Sequence, residues 1–77
     1  MLHPKEKEIL ELFKKELDKQ NVNQAHMVEV TGLSRAYISQ VFGKLEEEGY
    51  IKPFKEREMR IRELKVYATK QYYKLLK

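Results

Sequence analysis

The chain has 77 residues, enough for one small domain, and its lack of Cys excludes a disulfide framework or a thiolate metal site. No apolar stretch approaches the ~20 residues of a membrane-spanning helix, and the first residues do not resemble a signal peptide, so we expect a soluble, cytoplasmic protein. The net charge of +4 is uneven: residues through Gly49 carry seven Lys/Arg and nine Asp/Glu, whereas residues from Tyr50 onward carry nine and three. A basic half indicates a polyanionic partner, usually nucleic acid or an anionic membrane, although a solvated surface explains the charge as readily.

The N-terminal third predicts two helices. Pro4 suits the first position of a helix that runs to about Lys19. Asn23 can cap a second helix over residues 24–31. The first helix carries a wide apolar stripe at helical spacing, formed by Ile9, Leu10, Phe13 and Leu17.

A short interruption separates the second predicted helix from a third. Gly32 can take the left-handed conformation that ends a helix, and Ser34 can cap the next one. The third helix is predicted over residues 35–48, with Gly49 as its end. Two short helices joined by so brief a turn predict a helix-turn-helix.

The third helix has two contrasting faces. Its core face consists of Ile38, Val41, Phe42 and Leu45. Its opposite face is small and neutral at the centre and basic at its edges, with Ala36, Ser39, Gln40 and Gly43 between Arg35 and Lys44. Small side chains allow close approach to a major groove, where Gln and Arg read adenine and guanine edges. The alternative is a structural helix that tolerates a surface Gly at a cost of about 1 kcal/mol.

Three segments carry a resemblance to a known family: the Gly32-Leu33-Ser34 turn, the stretch Lys44–Lys52 and the stretch Val66–Thr69. With them, residues 23–69 resemble the winged helix-turn-helix of small prokaryotic, archaeal or viral transcription regulators, most closely the MarR-like pattern. The resemblance implies a mostly helical α+β domain over residues 1–77, with a three-helix core, a two-stranded wing and a short C-terminal helix. It also implies base contacts by Ser34, Arg35, Ala36, Ser39, Gln40 and Gly43, and a phosphate contact by Lys44. Tyr37 lies at the edge of the core face, from which its hydroxyl could still reach a phosphate.

The segment expected to form the wing departs from the family pattern. It has no Gly, Pro, Asn or Asp for a tight hairpin turn, so one long helix over Phe54–Lys77 is a rival interpretation. We prefer a wing over residues 50–68 because apolar and polar residues alternate near its end. Thr69 then caps a final helix through Leu76.

Basic residues are concentrated in the predicted wing. Arg suits a narrow minor groove and Lys suits phosphates. Glu56 and Glu58 either dilute this charge or pair with neighbouring Arg side chains. The residues expected to contact DNA from the wing are Lys55, Arg57, Arg60 and Arg62.

Enzymatic chemistry has little support in the sequence. His26 and Glu29 are three residues apart, but a pair alone makes no stable metal site. No Ser–His–Asp arrangement or phosphate-binding Gly loop is present, so we expect neither an enzyme nor a metal, cofactor or small-molecule ligand. We therefore expect a sequence-specific double-stranded DNA-binding repressor with no membrane partner, which forms a homodimer through its first and last helices. Its expected location is the cytoplasm, where association with a nucleoid and a role in a virus-infected cell are both open. One alternative is a winged helix that serves protein–protein contact, and another is a DNA-binding protein with a long C-terminal dimerisation helix in place of the wing.

Overall fold

Three helices come first along the chain and a β-hairpin follows. The computed structural model describes the backbone of residues 1–61 and 66–77 and the side chains of residues 1–56 and 70–77. The two strands pair antiparallel, which gives an α+β domain whose layout is compatible with a winged helix. The elements are α1 (Pro4–Leu17), α2 (Gln24–Thr31), α3 (Arg35–Glu47), β1 (Ile51–Ile61) and β2 (Val66–Leu75).

Local hydrogen bonds set the helix boundaries. The Asn23 side chain accepts from the backbone N–H of His26 at 2.8 Å, and Ser34 Oγ accepts from the N–H of Tyr37 at 3.1 Å. Gly32 ends α2 with a φ of 72°, in the left-handed region that favours glycine. These capping predictions are therefore confirmed, and α1 ends at Leu17, two residues before the predicted boundary.

The core lies where the three helices meet the base of the hairpin. Phe42 is at its centre, with its ring 5.8 Å from that of Phe13 and 4.7 Å from that of Tyr73, both edge-to-face. The four residues predicted for the core face of α3 are all buried. Among the described side chains, the buried apolar residues are Leu2, Ile9, Leu10, Phe13, Val22, Met27, Ile38, Val41, Phe42, Leu45, Ile51 and Tyr73.

The predicted C-terminal helix is wrong, and so is the rival long helix over Phe54–Lys77. Both segments fall on the hairpin, in which Thr69 pairs with Arg57 instead of capping a helix. The contacts of Tyr73 explain why this segment is a strand and not a helix. Tyr73 is buried, and its N–H donates to the carbonyl of Val22 at 2.9 Å. Val22 thus forms an isolated antiparallel bridge with Tyr73 of β2. A helix in this segment would lose these pairings along with the burial of Tyr73.

The hairpin is longer than predicted. The predicted wing covers residues 50–68, whereas the two strands of the hairpin extend from Ile51 to Leu75. Strand β1 has 11 residues and β2 has 10. At about 3.3 Å per residue each strand spans ~35 Å, more than the ~21 Å of the 14-residue α1. Residues 62–65, which belong to the segment without a turn signal, lie outside the described residues. None of the described helices is long and apolar enough to cross a membrane.

Candidate nucleic-acid interface

The face of α3 that was predicted to contact DNA lies on the surface. Tyr37 and Lys44 are half-buried at its edges, and Tyr37 packs against the core, as its position on the helix predicted. This arrangement leaves an exposed strip along the helix that is charged only at its N-terminal end, by Arg35. The exposed residues of the strip are Ser34, Arg35, Ala36, Ser39, Gln40 and Gly43.

Gly43 is not required by the packing of this chain. A Cβ built at this position meets no heavy atom within 4 Å. A glycine inside a helix costs about 1 kcal/mol relative to alanine. Gly32 differs because its φ of 72° is a conformation that other residues rarely adopt. The described part of the chain therefore gives no internal reason for the missing side chain at position 43.

Acidic residues border the C-terminal half of α3. Gln40, Gly43 and Lys44 line one side of a shallow groove of about 530 Å³, and Glu6 with His3 from the start of α1 lines the other. Glu47 also lines this groove. These carboxylates repel phosphates, so the N-terminal half of α3 is the part better suited to meet a polyanion.

Glu48 is more constrained than the two exposed glutamates before it. The N-terminal ammonium group lies 3.2 Å from its Oε1 atom and is the main cause of a lowered pKa for this carboxyl. Lys44 lies 3.6 Å from the Oε2 atom and lowers the pKa further. Part of the charge of Lys44 is therefore used within the chain, which weakens its predicted role as a phosphate contact.

Arg35 lines one side of a polar concavity. The sequence analysis did not place the other lining residues next to Arg35. Gln24 Nε2 donates to the hydroxyl oxygen of Tyr73 at 2.9 Å, and Gln71 Nε2 donates to the same oxygen at 3.2 Å. These bonds join the start of α2 to β2 beside Arg35. No sequence signal could place Gln71 here, because the local pattern around it predicts a helix. The concavity is lined by Asn23, Gln24, Ala25, Arg35, Gln71 and Tyr73.

The predicted wing contacts are only partly described. Lys55 is exposed on β1. Arg57 and Arg60 are on the same strand, but their side chains lie outside the described residues, and so does all of Arg62. Glu56 accepts a hydrogen bond from Asn21 Nδ2 at 2.8 Å, so at least one acidic residue of the wing is held by the body of the protein.

His26 contacts a residue that the sequence did not suggest. Its Nε2 atom lies 2.7 Å from Glu16 Oε1 on α1, so it joins two helices instead of forming a pair with Glu29. This hydrogen bond is the largest cause of the lowered pKa of the Glu16 carboxyl. The Lys19 ammonium group, 3.5 Å from Oε2, lowers the pKa as well. Among the described residues no group of three His, Cys, Asp or Glu side chains is placed to hold a metal ion.

Comparisons with protein-family models, with curated proteins and with solved structures find no match for this chain. The resemblance to MarR-like regulators therefore stays a prediction that depends on the three motifs.

Proposed function

We propose that the protein is a transcription regulator, acting as a repressor, that binds specific sites on double-stranded DNA. In this proposal α3 enters the major groove and the hairpin serves as a basic wing against the backbone or the minor groove. The observation that carries it is the exposed strip of α3, where Gly43 is open to solvent at a position that does not need a glycine. Packing within the chain does not explain the glycine at position 43, whereas close approach of α3 to an external surface does.

The chemistry of the strip supports base recognition. Gln40 is at its centre and is exposed, so its amide is free to pair with an adenine edge through two hydrogen bonds. Arg35 is exposed at the first turn, where a guanidinium can reach a guanine. The small neighbours Ala36 and Ser39 allow the helix backbone to approach the bases closely enough for both contacts.

The charge distribution supports a division between recognition and affinity. The chain from Tyr50 onward has six more basic than acidic residues, whereas the chain through Gly49 has two more acidic ones. Contacts from the hairpin to phosphates release counterions and depend on salt, but they carry no sequence information. We therefore assign specificity to α3 and most of the affinity to the hairpin.

We also propose a homodimer, now through α1 alone because the predicted last helix is a strand. Leu12 is half-buried between two shallow grooves, and the second of these runs on to Val30 and Leu33. In an antiparallel pair of α1 helices that cross near Leu12, Glu8 of one copy lies opposite Lys15 of the other. Such a dimer would present two α3 helices to half-sites about 34 Å apart.

Four alanine variants test the proposed function. A preferred duplex is first selected from genomic fragments with the intact protein, and each variant is then measured on this duplex and on random DNA over a salt series. Arg35→Ala and Gln40→Ala should each cost about 1–3 kcal/mol on the selected duplex and little on random DNA. Arg57→Ala and Arg60→Ala should weaken both duplexes alike and reduce the salt slope by about one unit for each phosphate that is no longer neutralised.

The two pairs of variants also define the outcomes that contradict the proposal. Each variant removes one functional group, and Arg35→Ala removes the same charge as Arg57→Ala, so a difference between those two cannot come from overall charge alone. If Arg35→Ala and Gln40→Ala leave the ratio of specific to random affinity unchanged, α3 does not read bases. If no duplex is bound at low salt, a winged helix for protein–protein contact replaces the DNA-binding proposal.

A further inference from the structure

The hairpin has a second surface that the proposed function does not use. Ile51 and Tyr73 are buried against the helices, and strand residues alternate between the two faces of a sheet. The residues that alternate with these two along β1 and β2 therefore lie on the face that points away from the helices. We call Lys52, Phe54, Tyr72 and Lys74 the outer sheet face.

Two aromatic rings form the centre of the outer sheet face. Phe54 is paired with Tyr72 across the strands, and their ring centroids are 6.0 Å apart at an interplanar angle of 38°. Both residues are half-buried, and neither belongs to the hydrophobic core that the helices share with the base of the hairpin. The rings therefore make a small aromatic surface on the exterior of the protein.

Two lysines lie beside this aromatic pair. Lys52 and Lys74 are both exposed and are directly opposite each other in the ladder. Like charges in this position destabilise a hairpin. Neither ammonium group is paired with a carboxylate of the described side chains, whereas on α1 Lys5 and Lys14 each are. An anion bound between the two lysines would remove the repulsion.

We propose that the outer sheet face binds unpaired nucleotides of single-stranded DNA or RNA. Bases stack on Phe54 and Tyr72, as every base offers a π-face to an aromatic side chain. Lys52 is two residues from Phe54 along β1, about 7 Å, so a stacked nucleotide keeps its phosphate within reach of the lysines. This activity is separate from duplex recognition by α3, because the two surfaces are on opposite sides of the sheet.

The next pair along the ladder limits the site. Glu56 is opposite Lys70, and its carboxylate accepts a hydrogen bond from Asn21 Nδ2 at 2.8 Å. This fixed negative charge is unfavourable for a phosphate. The described site is therefore two ladder pairs long and suits one or two nucleotides.

The test uses the intact chain and three labelled oligonucleotides of about 12 nucleotides: oligothymidylate, oligouridylate and an abasic strand with the same backbone. Fluorescence anisotropy at two salt concentrations gives the affinities. We expect at least one of the two base-bearing strands to bind about tenfold more tightly than the abasic strand. A preference for one of them identifies DNA or RNA as the source of the nucleotides.

Variants separate stacking from charge. Phe54→Leu and Tyr72→Leu keep apolar side chains but should reduce the affinity for the base-bearing strand to that of the abasic strand, whereas Tyr72→Phe should retain it. Lys52→Gln and Lys74→Gln, at exposed positions that do not threaten folding, should weaken both strands several-fold. Lys15→Gln on α1 removes the same charge from another exposed position and should have little effect.

Two results would overturn the inference. Equal affinities for the base-bearing and abasic strands in the unmodified protein would reduce the outer sheet face to a general anion-binding surface. Leucine variants that fold, by circular dichroism, and still prefer base-bearing strands would leave the aromatic pair with a purely structural role. Neither result bears on duplex recognition, which is tested separately by Arg35→Ala and Gln40→Ala.

Discussion

The helical body and the hairpin differ in the buried apolar residues that they supply and in their balance of charge. Among the side chains that the structure describes, at residues 1–56 and 70–77, twelve apolar ones are buried: the body, through Gly49, supplies ten, and the hairpin supplies Ile51 and Tyr73. The balance of charge is the reverse, since basic residues exceed acidic ones by six from Tyr50 onward and fall two short before it. The described hydrophobic core is therefore built mainly by the helical body, whereas the excess of positive charge lies in the other part of the chain.

Four of the six lysines of the helical body form an ion pair with a carboxylate, namely Lys5, Lys14, Lys19 and Lys44. On α1, Lys5 lies 3.6 Å from Glu8, and Lys14 lies 3.2 Å from Glu11. On the described part of the hairpin, Lys52 and Lys74 are exposed and have no such carboxylate partner. Paired surface charges contribute little to binding a polyanion, whereas unpaired ones are available to phosphates. The comparison thus supports the part of the proposed function that assigns contacts with a nucleic-acid backbone to the hairpin.

The strongest test of this division compares two phenylalanines. Phe42→Ala removes the ring that contacts both Phe13 and Tyr73, and should cost about 3–5 kcal/mol of unfolding free energy. Phe54→Ala on the outer sheet face is the matched control and should cost about 1 kcal/mol, because its ring lies outside the core. Urea denaturation followed by circular dichroism measures both. Equal losses would mean that the hairpin contributes as much to stability as the body does.

A second comparison locates the dimer interface. Leu12→Asp places a charge at the proposed crossing of two α1 helices and should weaken the dimer by about 2 kcal/mol. Leu76→Asp, at the exposed end of the chain beyond β2, is the control and should leave the dimer intact. Sedimentation at tens of micromolar distinguishes the two. Dissociation by the Leu76 variant instead would move the interface to the hairpin.

Two glycines separate a folding requirement from a binding requirement. Gly43→Ala meets open space on α3, so it should raise the unfolding free energy by about 1 kcal/mol while it weakens duplex binding. Gly32→Ala, where φ is 72°, should lower the unfolding free energy by about 1 kcal/mol. Thermal unfolding and duplex titration of both variants provide the measurements. Unimpaired duplex binding by Gly43→Ala would argue against close approach of α3 to the groove.

The smallest expected effect is a pH dependence within the body. The hydrogen bond from His26 holds the pKa of Glu16 below its usual range in the folded protein. A depressed carboxyl pKa adds stability above the unfolded-state value of 4.5, and this stability is lost as the pH falls through the folded pKa. Glu16→Gln should therefore show a flatter decline in unfolding free energy below pH 4.5 than the unmodified protein. Identical acid profiles would show that the contact with His26 does not matter for stability.

The helical half of the protein could be predicted from local sequence patterns. Helical spacing identified the buried face of α3, and Asn23, Ser34 and Gly32 marked the helix ends correctly. These features are legible because a helix satisfies its backbone through residues three or four positions away. The exposed strip of α3 follows directly, since a helix with one buried face has a defined opposite face.

The course of the chain after β1 depends on contacts between positions that are far apart in the sequence. The segment around Tyr72 and Tyr73 has no helix breaker, and it becomes a strand because Tyr73 pairs with Pro53 on one side and bridges to Val22 on the other. The contact of His26 with Glu16 and the grouping of Gln24 with Gln71 likewise join positions that are distant in sequence. A strand depends on partners that its own residues do not specify, so local pattern could not reveal the outer sheet face.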